Sequence, residues 1–345
     1  MKEINWKRRQ FIRYSSLALT GTMLAACGDR VSESSPKKEE KSGLDRVVYG
    51  TNWYAQAEHG GFYQAIATGI YEEYGLDVTI KMGGAQVNGI QLLMSGAIDF
   101  FMGGGLGTLK GAEEGIPIVA VAAIFQKDPQ VLISHPDMGI KTLGDLKGKP
   151  IYVASGANIT YWPFLKAKYG FTDDQKRPYN FTIGPFLLDK NSSQQGYLTS
   201  EPLKIEREGK FKPLVFLLAD YGYTPYATTI ETRREMIENN PDLVQRFVDA
   251  SIKGWYSYLE NPEPGNQLIK KDNPEMTDEL IAYSLEKIKE YDIILSEETK
   301  EKGIGLMTEE RWKTFFDTMV DAGIFKPDTD YQKAFTLDFV GKALE

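Results

Sequence analysis

The stretch at residues 51–65, T-N-W-Y-A-Q-A-E-H-G-G-F-Y-Q-A, joins a short apolar run at 47–50 to a helical pattern at 61–74. A short alternating run predicts a strand, and apolar residues three and four positions apart predict an amphipathic helix. Strand, polar turn and helix alternate in this way through much of the chain, and the residues from 241 onward are mainly helical in pattern. This order is typical of α/β proteins with largely parallel sheets, and we predict that fold class.

The turn within this stretch brings together side chains that suit a flat, polar ring. Trp53 and Tyr54 offer stacking faces, and Glu58 and His59, with Asn52 nearby, offer directional hydrogen bonds. The alternative is structural: the aromatic rings pack in the core, Glu58 stabilises the start of a helix and His59 caps it. For the cluster as a whole we predict a ligand-binding role.

The first residues have the pattern of an export signal. A basic segment precedes an apolar segment at 17–26, which is too short to span a bilayer as a helix. L-A-A-C, which ends at Cys27, resembles the bacterial lipobox, and K-R-R-Q-F-I resembles a twin-arginine signal. We predict a signal peptide at 1–26, a lipid on Cys27 and a flexible polar tether at 27–43, so that the folded body is anchored outside the cytoplasm.

Charge and cysteine content exclude several functions. The chain has a formal net charge of −8, and the predicted signal peptide is basic, so the mature protein is more acidic still. Such a protein is a poor candidate for binding nucleic acid. Cys27 is the only cysteine, which leaves no disulfide, cysteine metal site or thiol nucleophile elsewhere. We expect no cofactor, no bound metal and a monomer.

Four segments together resemble a known family of binding proteins. They are G-F-Y-Q-A-I-A-T-G-I-Y-E-E-Y-G-L-D-V at 61–78, S-G-A-I-D-F at 95–100, I-K-T-L-G-D-L-K-G-K-P-I-Y-V at 140–153 and N-N-P-D-L-V-Q-R-F-V-D-A at 239–250. In this order and spacing they resemble the periplasmic binding proteins for thiamine pyrimidine precursors, nitrate, taurine and aliphatic sulfonates. The resemblance covers nearly the whole mature chain.

The resemblance implies a type II periplasmic-binding-protein fold. Two mixed sheets flanked by helices form two lobes, which a two-strand hinge joins and which close on a ligand. We expect the first crossing near Ser134 and His135 and the return near 223–226. The first lobe would then hold 44–134 plus 226–345, and the second lobe 135–225 with the hinge.

Two small-residue turns are further candidates for the cleft. Gly103 and Gly104 follow a predicted strand at 99–102 and would let the backbone approach a ligand closely, or they form an ordinary turn. Ser155 and Asn158 precede a predicted helix in the second lobe. They could cradle an anion or a carbonyl group, or they simply cap the helix.

The resemblance adds candidates late in the second lobe. In the family, a small-residue turn followed by E-P lies at the cleft, which points to Tyr197 and Glu201 here. Because Glu201 precedes Pro202, we expect an extended backbone and an exposed carboxylate. Tyr221 and Tyr223 flank a glycine near the return crossing, where they could stack on a ring or pack the hinge.

The resemblance also implies a function. The opening stretch is similar to the W-x-x-x-x-x-H-x-G segment of the thiamine-pyrimidine branch and its flavin-binding relatives, and His59 falls on that branch's histidine. The expected ligand is a thiamine pyrimidine precursor, captured by lobe closure and delivered to an ABC permease and its ATPase. Riboflavin, or an aliphatic sulfonate, taurine or nitrate, are the alternatives within the family.

Two other classes remain as rivals. The same fold carries a single-turnover pyrimidine synthase, which relies on a cysteine-rich iron-binding segment that this chain lacks. The sequence also has no G-x-S-x-G, H-E-x-x-H or P-loop motif, so we expect no enzyme activity. A ligand sensor that does not transport is the second rival, and a neighbouring permease gene would distinguish the two.

Overall fold

The computed structural model describes residues 43–341. The predicted signal peptide, the lipid attachment at Cys27 and the predicted tether up to residue 42 lie outside the described residues. Within residues 43–341, ten strands form two five-stranded sheets. In chain order the strands are β1 (Asp45–Gly50), β2 (Leu76–Lys81), β3 (Phe100–Gly104), β4 (Ile118–Phe125), β5 (Gln130–Ser134), β6 (Ile151–Val153), β7 (Lys176–Pro178), β8 (Ser193–Tyr197), β9 (Leu214–Leu217) and β10 (Ala227–Arg233).

Both sheets are mixed. The first has the order β2-β1-β3-β10-β4, in which β1 is parallel to β2 and β3, whereas β10 is antiparallel to β3 and β4. The second has the order β7-β6-β8-β5-β9, in which β6 is parallel to its neighbours and β5 is antiparallel to β8 and β9. Each sheet, with the helices packed on it, forms one lobe.

The chain passes between the sheets twice, at 126–129 and at 218–226. The predicted first crossing near Ser134 and His135 is therefore wrong, because Gln130–Ser134 already pairs in the second sheet. The two apolar strands on either side of the crossing are both fully buried and look alike in sequence. Only the strands with which each of them pairs show that they belong to different sheets. The return crossing spans the predicted position.

Thirteen α-helices fill the spaces between and after the strands of the described residues. They are α1 (Gly60–Ala67), α2 (Ile70–Glu73), α3 (Gly89–Met94), α4 (Gly105–Glu114), α5 (Tyr161–Tyr169), α6 (Gly184–Leu188), α7 (Glu201–Gly209), α8 (Arg234–Asn239), α9 (Pro241–Glu260), α10 (Glu263–Asp272), α11 (Asp278–Glu290), α12 (Glu297–Lys302) and α13 (Glu309–Asp321). Between residues 43 and 341, no helix has both the length and the apolar character needed to cross a membrane.

The packing of α1 fixes the end of the predicted ligand-binding turn, which directly precedes this helix. A Cβ atom on Gly254 of α9 would lie 2.4 Å from the carbonyl oxygen of Gly61, so the two helices touch backbone to backbone. Phe247 of α9 stacks on Phe100 with ring centroids 4.1 Å apart. Full burial of each such aromatic side chain stabilises the fold by about 1.5–3 kcal/mol. The N-terminus of α1, and the residues just before it, are therefore rigidly placed.

Candidate functional site

A cavity of about 540 Å³ is lined by residues from both lobes. It lies where several strands end: the segments after β1 and β3 line it from the first lobe, and those after β6 and β8 line it from the second. Clefts at the carboxyl ends of strands are the usual binding sites of α/β proteins. Eleven of the thirteen predicted ligand-binding residues line the cavity: Asn52, Trp53, Glu58, His59, Gly103, Gly104, Ser155, Asn158, Tyr197, Glu201 and Tyr223.

Tyr54 and Tyr221 are not part of this lining. Tyr54 stacks on Phe181 of the second lobe, with ring centroids 5.1 Å apart, and so forms a contact between the lobes. Tyr221 packs edge-on against Tyr169 and Phe216 within the second lobe. Both rings therefore pack against aromatic neighbours. This is the structural alternative to ligand binding that the sequence left open for these tyrosines.

Trp53 is held between the lobes. Its ring lies nearly parallel to that of Tyr179 of the second lobe, with an interplanar angle of 9° and centroids 6.0 Å apart. Phe181, from the same segment, meets it edge-on. One aromatic residue of the first lobe therefore contacts the second lobe and lines the cavity at the same time.

Glu58 and His59 lie in a 3₁₀ turn, Ala57–His59, directly before α1. Both are about 99% buried. Oε1 of Glu58 accepts a hydrogen bond from the Thr199 hydroxyl of the second lobe. Its Oε2 and the Nδ1 of His59 have no hydrogen-bond partner among the described residues. The His59 side chain makes no capping hydrogen bond, so the structural alternative for this residue is not supported.

Burial sets the protonation of this pair. Desolvation raises the pKa of Glu58 to about 7, although the Thr199 hydroxyl opposes the shift by stabilising the carboxylate. Desolvation lowers the pKa of His59 to about 3. At neutral pH the imidazole is therefore uncharged, and Glu58 is divided between its acid and its carboxylate forms. Buried polar atoms without a partner are costly and are typical of sites that a ligand completes.

Glu201 differs from the expectation. It is the first residue of α7 and is buried, whereas the residue before Pro202 was predicted to be extended with an exposed carboxylate. Proline is tolerated in the first helical turn because the N–H groups there have no partner within the helix. Oε1 of Glu201 accepts from the Tyr179 hydroxyl at 2.8 Å and Oε2 from the Tyr197 N–H at 2.8 Å. Its carboxylate thus orders the cavity wall.

Ser155 and Asn158 do not cap the helix that follows them. The Ser155 hydroxyl donates to the carbonyl oxygen of Ala85, at 2.8 Å, which ties the second lobe to the first. Nδ2 of Asn158 donates to the Ser155 carbonyl oxygen, at 3.0 Å, and its Oδ1 accepts from Lys176 at 2.6 Å. This segment is a 3₁₀ helix without a side-chain cap.

Several polar residues of the cavity were not predicted from the sequence. Asp128 lies in the first crossing, and Glu231 lies in the middle of β10, paired with Phe101 and Ala120 of the neighbouring strands. A carboxyl group within a buried strand is rare unless it has a role, and that signal could have identified Glu231. The missed polar and aromatic lining residues include Gln56, Asn88, Asp128, Gln130, Tyr161, Gln195 and Glu231.

The lining is acidic. It includes Glu58, Asp128, Glu201 and Glu231, and it contains no lysine or arginine from the described part of the chain. Burial raises the pKa of Asp128 and of Glu231 to about 7 each and also raises the pKa of Glu201. Within residues 43–341, no group of three histidine, cysteine or acidic side chains could hold a metal ion. The cavity therefore suits hydrogen-bond donors and disfavours anions.

Two lobes, each built on a mixed sheet, with a polar cavity lined by both of them, define a periplasmic-binding-protein fold, as the sequence predicted. The chain belongs to the NMT1/THI5 like family, whose pattern matches residues 56–264. The family resemblance drawn from the four sequence segments is therefore confirmed.

Relatives of this chain include both binding proteins and enzymes. Riboflavin-binding protein RibY of Chloroflexus aurantiacus is 23% identical over 315 residues, which are 89% of each chain. The formylaminopyrimidine-binding protein of Halalkalibacterium halodurans is 23% identical over 276 residues, 77% of this chain and 80% of that one. A 4-amino-5-hydroxymethyl-2-methylpyrimidine phosphate synthase of Legionella pneumophila is 22% identical over 249 residues, 67% of this chain and 75% of the enzyme.

Solved structures agree on the fold. The periplasmic aliphatic sulphonate binding protein SsuA of Escherichia coli superposes with a TM-score of 0.59, at 14% identity, over 84% of this chain and 91% of SsuA. The periplasmic nitrate-binding protein NrtA of Synechocystis superposes with a TM-score of 0.55, at 16% identity, over 84% of each chain. The predicted two-lobed fold is thereby confirmed.

Proposed function

We propose that this protein is the solute-binding component of an ABC importer and captures a nitrogenous aromatic heterocycle by closure of its lobes. The observation that carries the proposal is the position of Glu58. One of its carboxylate oxygens accepts a hydrogen bond from Thr199 of the opposite lobe, and the other is buried without a partner among the described residues. A ligand that donates to this second oxygen would link its own binding to the contact between the lobes.

The chemistry of the cavity favours a ring with amino or imino hydrogens over an anion. Binding sites for nitrate and sulfonate need donors such as basic side chains or helix N-termini. Four carboxyl groups and no lysine or arginine line this cavity, counted over the described residues. A sulfonate would be repelled by each ionised carboxylate in a poorly hydrated space, where charge interactions are strong.

Two heterocycles are candidates. A free or formylated aminopyrimidine was the first expectation from the sequence, and the name of the H. halodurans relative supports it. Riboflavin is the second, and the cavity volume favours it. A volume of about 540 Å³ falls in the range of roughly 300–1,000 Å³ that is typical of sites for drug-sized ligands. The similarity to RibY over 89% of both chains points the same way.

A binding role is better supported than catalysis. The relatives named as synthases match 38–67% of this chain, whereas the two relatives named as binding proteins match 77% and 89% of it. Cys27 is the only cysteine of the chain, so the cysteine-rich segment expected of a synthase has no counterpart. We place the protein on the outer side of a membrane, attached through a lipid on Cys27, where it would deliver its ligand to a permease and an ATPase. A sensor without transport remains the alternative.

The proposal is tested by thermal unfolding of the purified protein with a ligand panel. The panel holds 4-amino-5-hydroxymethyl-2-methylpyrimidine, its formylamino analogue, riboflavin, nitrate, taurine and an alkanesulfonate. A compound at 100 times its dissociation constant stabilises the folded state by roughly 2.7 kcal/mol, which gives a clear rise in melting temperature. We expect a heterocycle to produce this rise and the anions to leave the melting temperature unchanged.

Two variants locate the binding. Glu58→Gln should remove most of the rise, because the amide carries no charge and offers one acceptor oxygen where the carboxylate offers two. Glu208→Gln makes the same change of charge on the exposed surface of α7 and should leave the rise intact. Stabilisation by the anions alone would overturn the assigned ligand class, and no stabilisation by any compound would overturn the proposed function.

A further inference from the structure

Glu231 is a second buried carboxyl group on the cavity, apart from the turn that the sequence singled out. It lies in the middle of β10, opposite Phe101 of β3 and Ala120 of β4, and it is only 2% exposed. A carboxyl group at such a position costs free energy unless it is neutralised or hydrogen-bonded. Its side chain nevertheless lines the cavity.

The neighbours of Glu231 hold it in one orientation. The hydroxyls of Thr108 and Thr229 both donate to its Oε1. A Cβ atom on Gly103 would lie 2.0 Å from Oε1, so only glycine leaves room for the carboxyl group against the backbone of β3. Gly103, near the end of β3, thus leaves the space that the Glu231 carboxyl group occupies.

The hydrogen bonds from its neighbours leave some acceptor sites of the Glu231 carboxyl group unoccupied. An ionised carboxylate offers about four acceptor sites, and the two threonine hydroxyls occupy two of them, both on Oε1. The described lining of the cavity provides no lysine or arginine that could neutralise the group. The remaining acceptor capacity therefore belongs to whatever occupies the cavity.

Glu231 acts separately from the carboxyl groups near the turn. Glu201 lies close enough to Glu58 for its charge to raise the pKa of that residue. Glu231 instead lies on β10 and accepts from Thr108 and Thr229 of its own lobe, whereas Glu58 lies before α1 and accepts from Thr199 of the second lobe. The cavity consequently has two acceptor positions on different parts of the first lobe, one before α1 and one on β10.

We infer that Glu231 is a ligand-anchoring residue and that the ligand is an extended heterocycle carrying hydrogen-bond donors at two separated positions, one for Glu58 and one for Glu231. This inference rests on the proposed function and narrows its ligand class. A ligand with a single small ring would satisfy one acceptor and leave the other without a partner. A fused ring system with a polar side chain can reach both.

The test is calorimetric titration of the wild-type protein and three variants with two probes. The probes are riboflavin and 4-amino-5-hydroxymethyl-2-methylpyrimidine, and the variants are Glu231→Gln, Glu58→Gln and Glu238→Gln. Glu238 is an exposed residue of α8, so its replacement is the matched control. Because a hydrogen bond to a charged group contributes about 1.5–3 kcal/mol, we expect Glu231→Gln and Glu58→Gln each to weaken riboflavin binding by roughly 10- to 150-fold. Glu238→Gln should bind like the wild type.

The aminopyrimidine should bind the wild type more weakly than riboflavin and should respond to only one of the two cavity variants. If riboflavin binds the wild type and Glu231→Gln equally well, Glu231 is not a ligand anchor and the inference fails alone. If the aminopyrimidine binds more tightly and loses affinity in both variants, the ligand is compact and the extended class is wrong. If neither probe binds the wild type, the inference and the proposed function both fail.

A folding defect is separated from a binding defect by the melting temperature without ligand. Gln keeps the shape of Glu and can still accept from both threonine hydroxyls, so Glu231→Gln should melt at or above the wild-type temperature at pH 8, where the native carboxylate is buried and charged. Glu231→Asp withdraws the carboxyl group by one methylene and is the second variant. It should also weaken riboflavin binding while keeping the charge.

Discussion

Replacing Thr199 by valine tests whether ligand binding and lobe contact are linked through one carboxyl group. Thr199 is fully buried in the second lobe. Its hydroxyl donates to Glu58, and its carbonyl oxygen accepts from the Ser284 hydroxyl of α11 at 2.7 Å. Valine has nearly the same shape but no hydroxyl, so it leaves the second contact intact and deprives Glu58 of its donor from the opposite lobe.

The size of the effect follows from burial. Exposed ion pairs between the lobes, such as Lys204 with Glu275 and Arg207 with Glu279, contribute about 0–1 kcal/mol each. A buried hydrogen bond to a carboxylate contributes about 1.5–3 kcal/mol. If the ligand binds only when the lobes touch, Thr199→Val should weaken binding by roughly 10- to 150-fold.

The assay is titration of wild type, Thr199→Val and Thr199→Ser with the heterocycle that the panel identifies. Thr199→Ser keeps the hydroxyl and should bind within about threefold of the wild type. Small-angle scattering should show a larger radius of gyration for the valine variant at the same ligand concentration. Equal affinity of the valine variant and the wild type would refute the reasoning, and so would equal losses in both variants.

Two further predictions concern the buried carboxyl groups. Between pH 6.5 and pH 8 the protein without ligand should lose on the order of 2 kcal/mol of unfolding free energy. Glu58, Asp128 and Glu231 each have a pKa raised to about 7, so they bind more protons in the folded than in the unfolded state, and this stabilising contribution disappears as the pH rises. Denaturant unfolding at both pH values measures the loss, and a stability that rises over the same range would contradict the prediction. Gly103→Ala should lower the unfolding free energy by about 1–3 kcal/mol and weaken ligand binding, because the new methyl group collides with the Glu231 carboxyl group. Gly144→Ala, whose methyl group would meet nothing closer than 3.7 Å, is the control for both the stability and the binding measurement.

Local sequence was sufficient to locate the first part of the site. The turn at 51–65 was recognisable because a strand, a polar segment and a helix follow one another within a few residues, and the structure places four of its five candidate side chains on the cavity. The division between the lobes was not recognisable in this way. The strand Gln130–Ser134 belongs to the second sheet because of its pairing with residues 193–197 and 214–217, which no local pattern encodes.

Two other differences have local causes. Residues 181–188 have the apolar character of a strand, yet Gly184–Leu188 is a helix whose second residue is Pro185. Proline has no N–H to donate to a sheet but is favoured in the first helical turn. Glu231 was not predicted as a site residue, because strands are identified in a sequence by their apolar residues. Its importance depends on the cavity that the second lobe completes.

A crystal structure of the protein with the heterocycle that stabilises it most would test the central claim directly. We expect the ring to lie in the cavity against Trp53, with a ring or amino nitrogen about 2.7–3.2 Å from Oε2 of Glu58, while Oε1 keeps its contact with Thr199. A ligand bound outside the cavity would contradict this claim. So would a ligand inside the cavity whose acceptor atoms bind backbone N–H groups while Glu58 makes no contact with it.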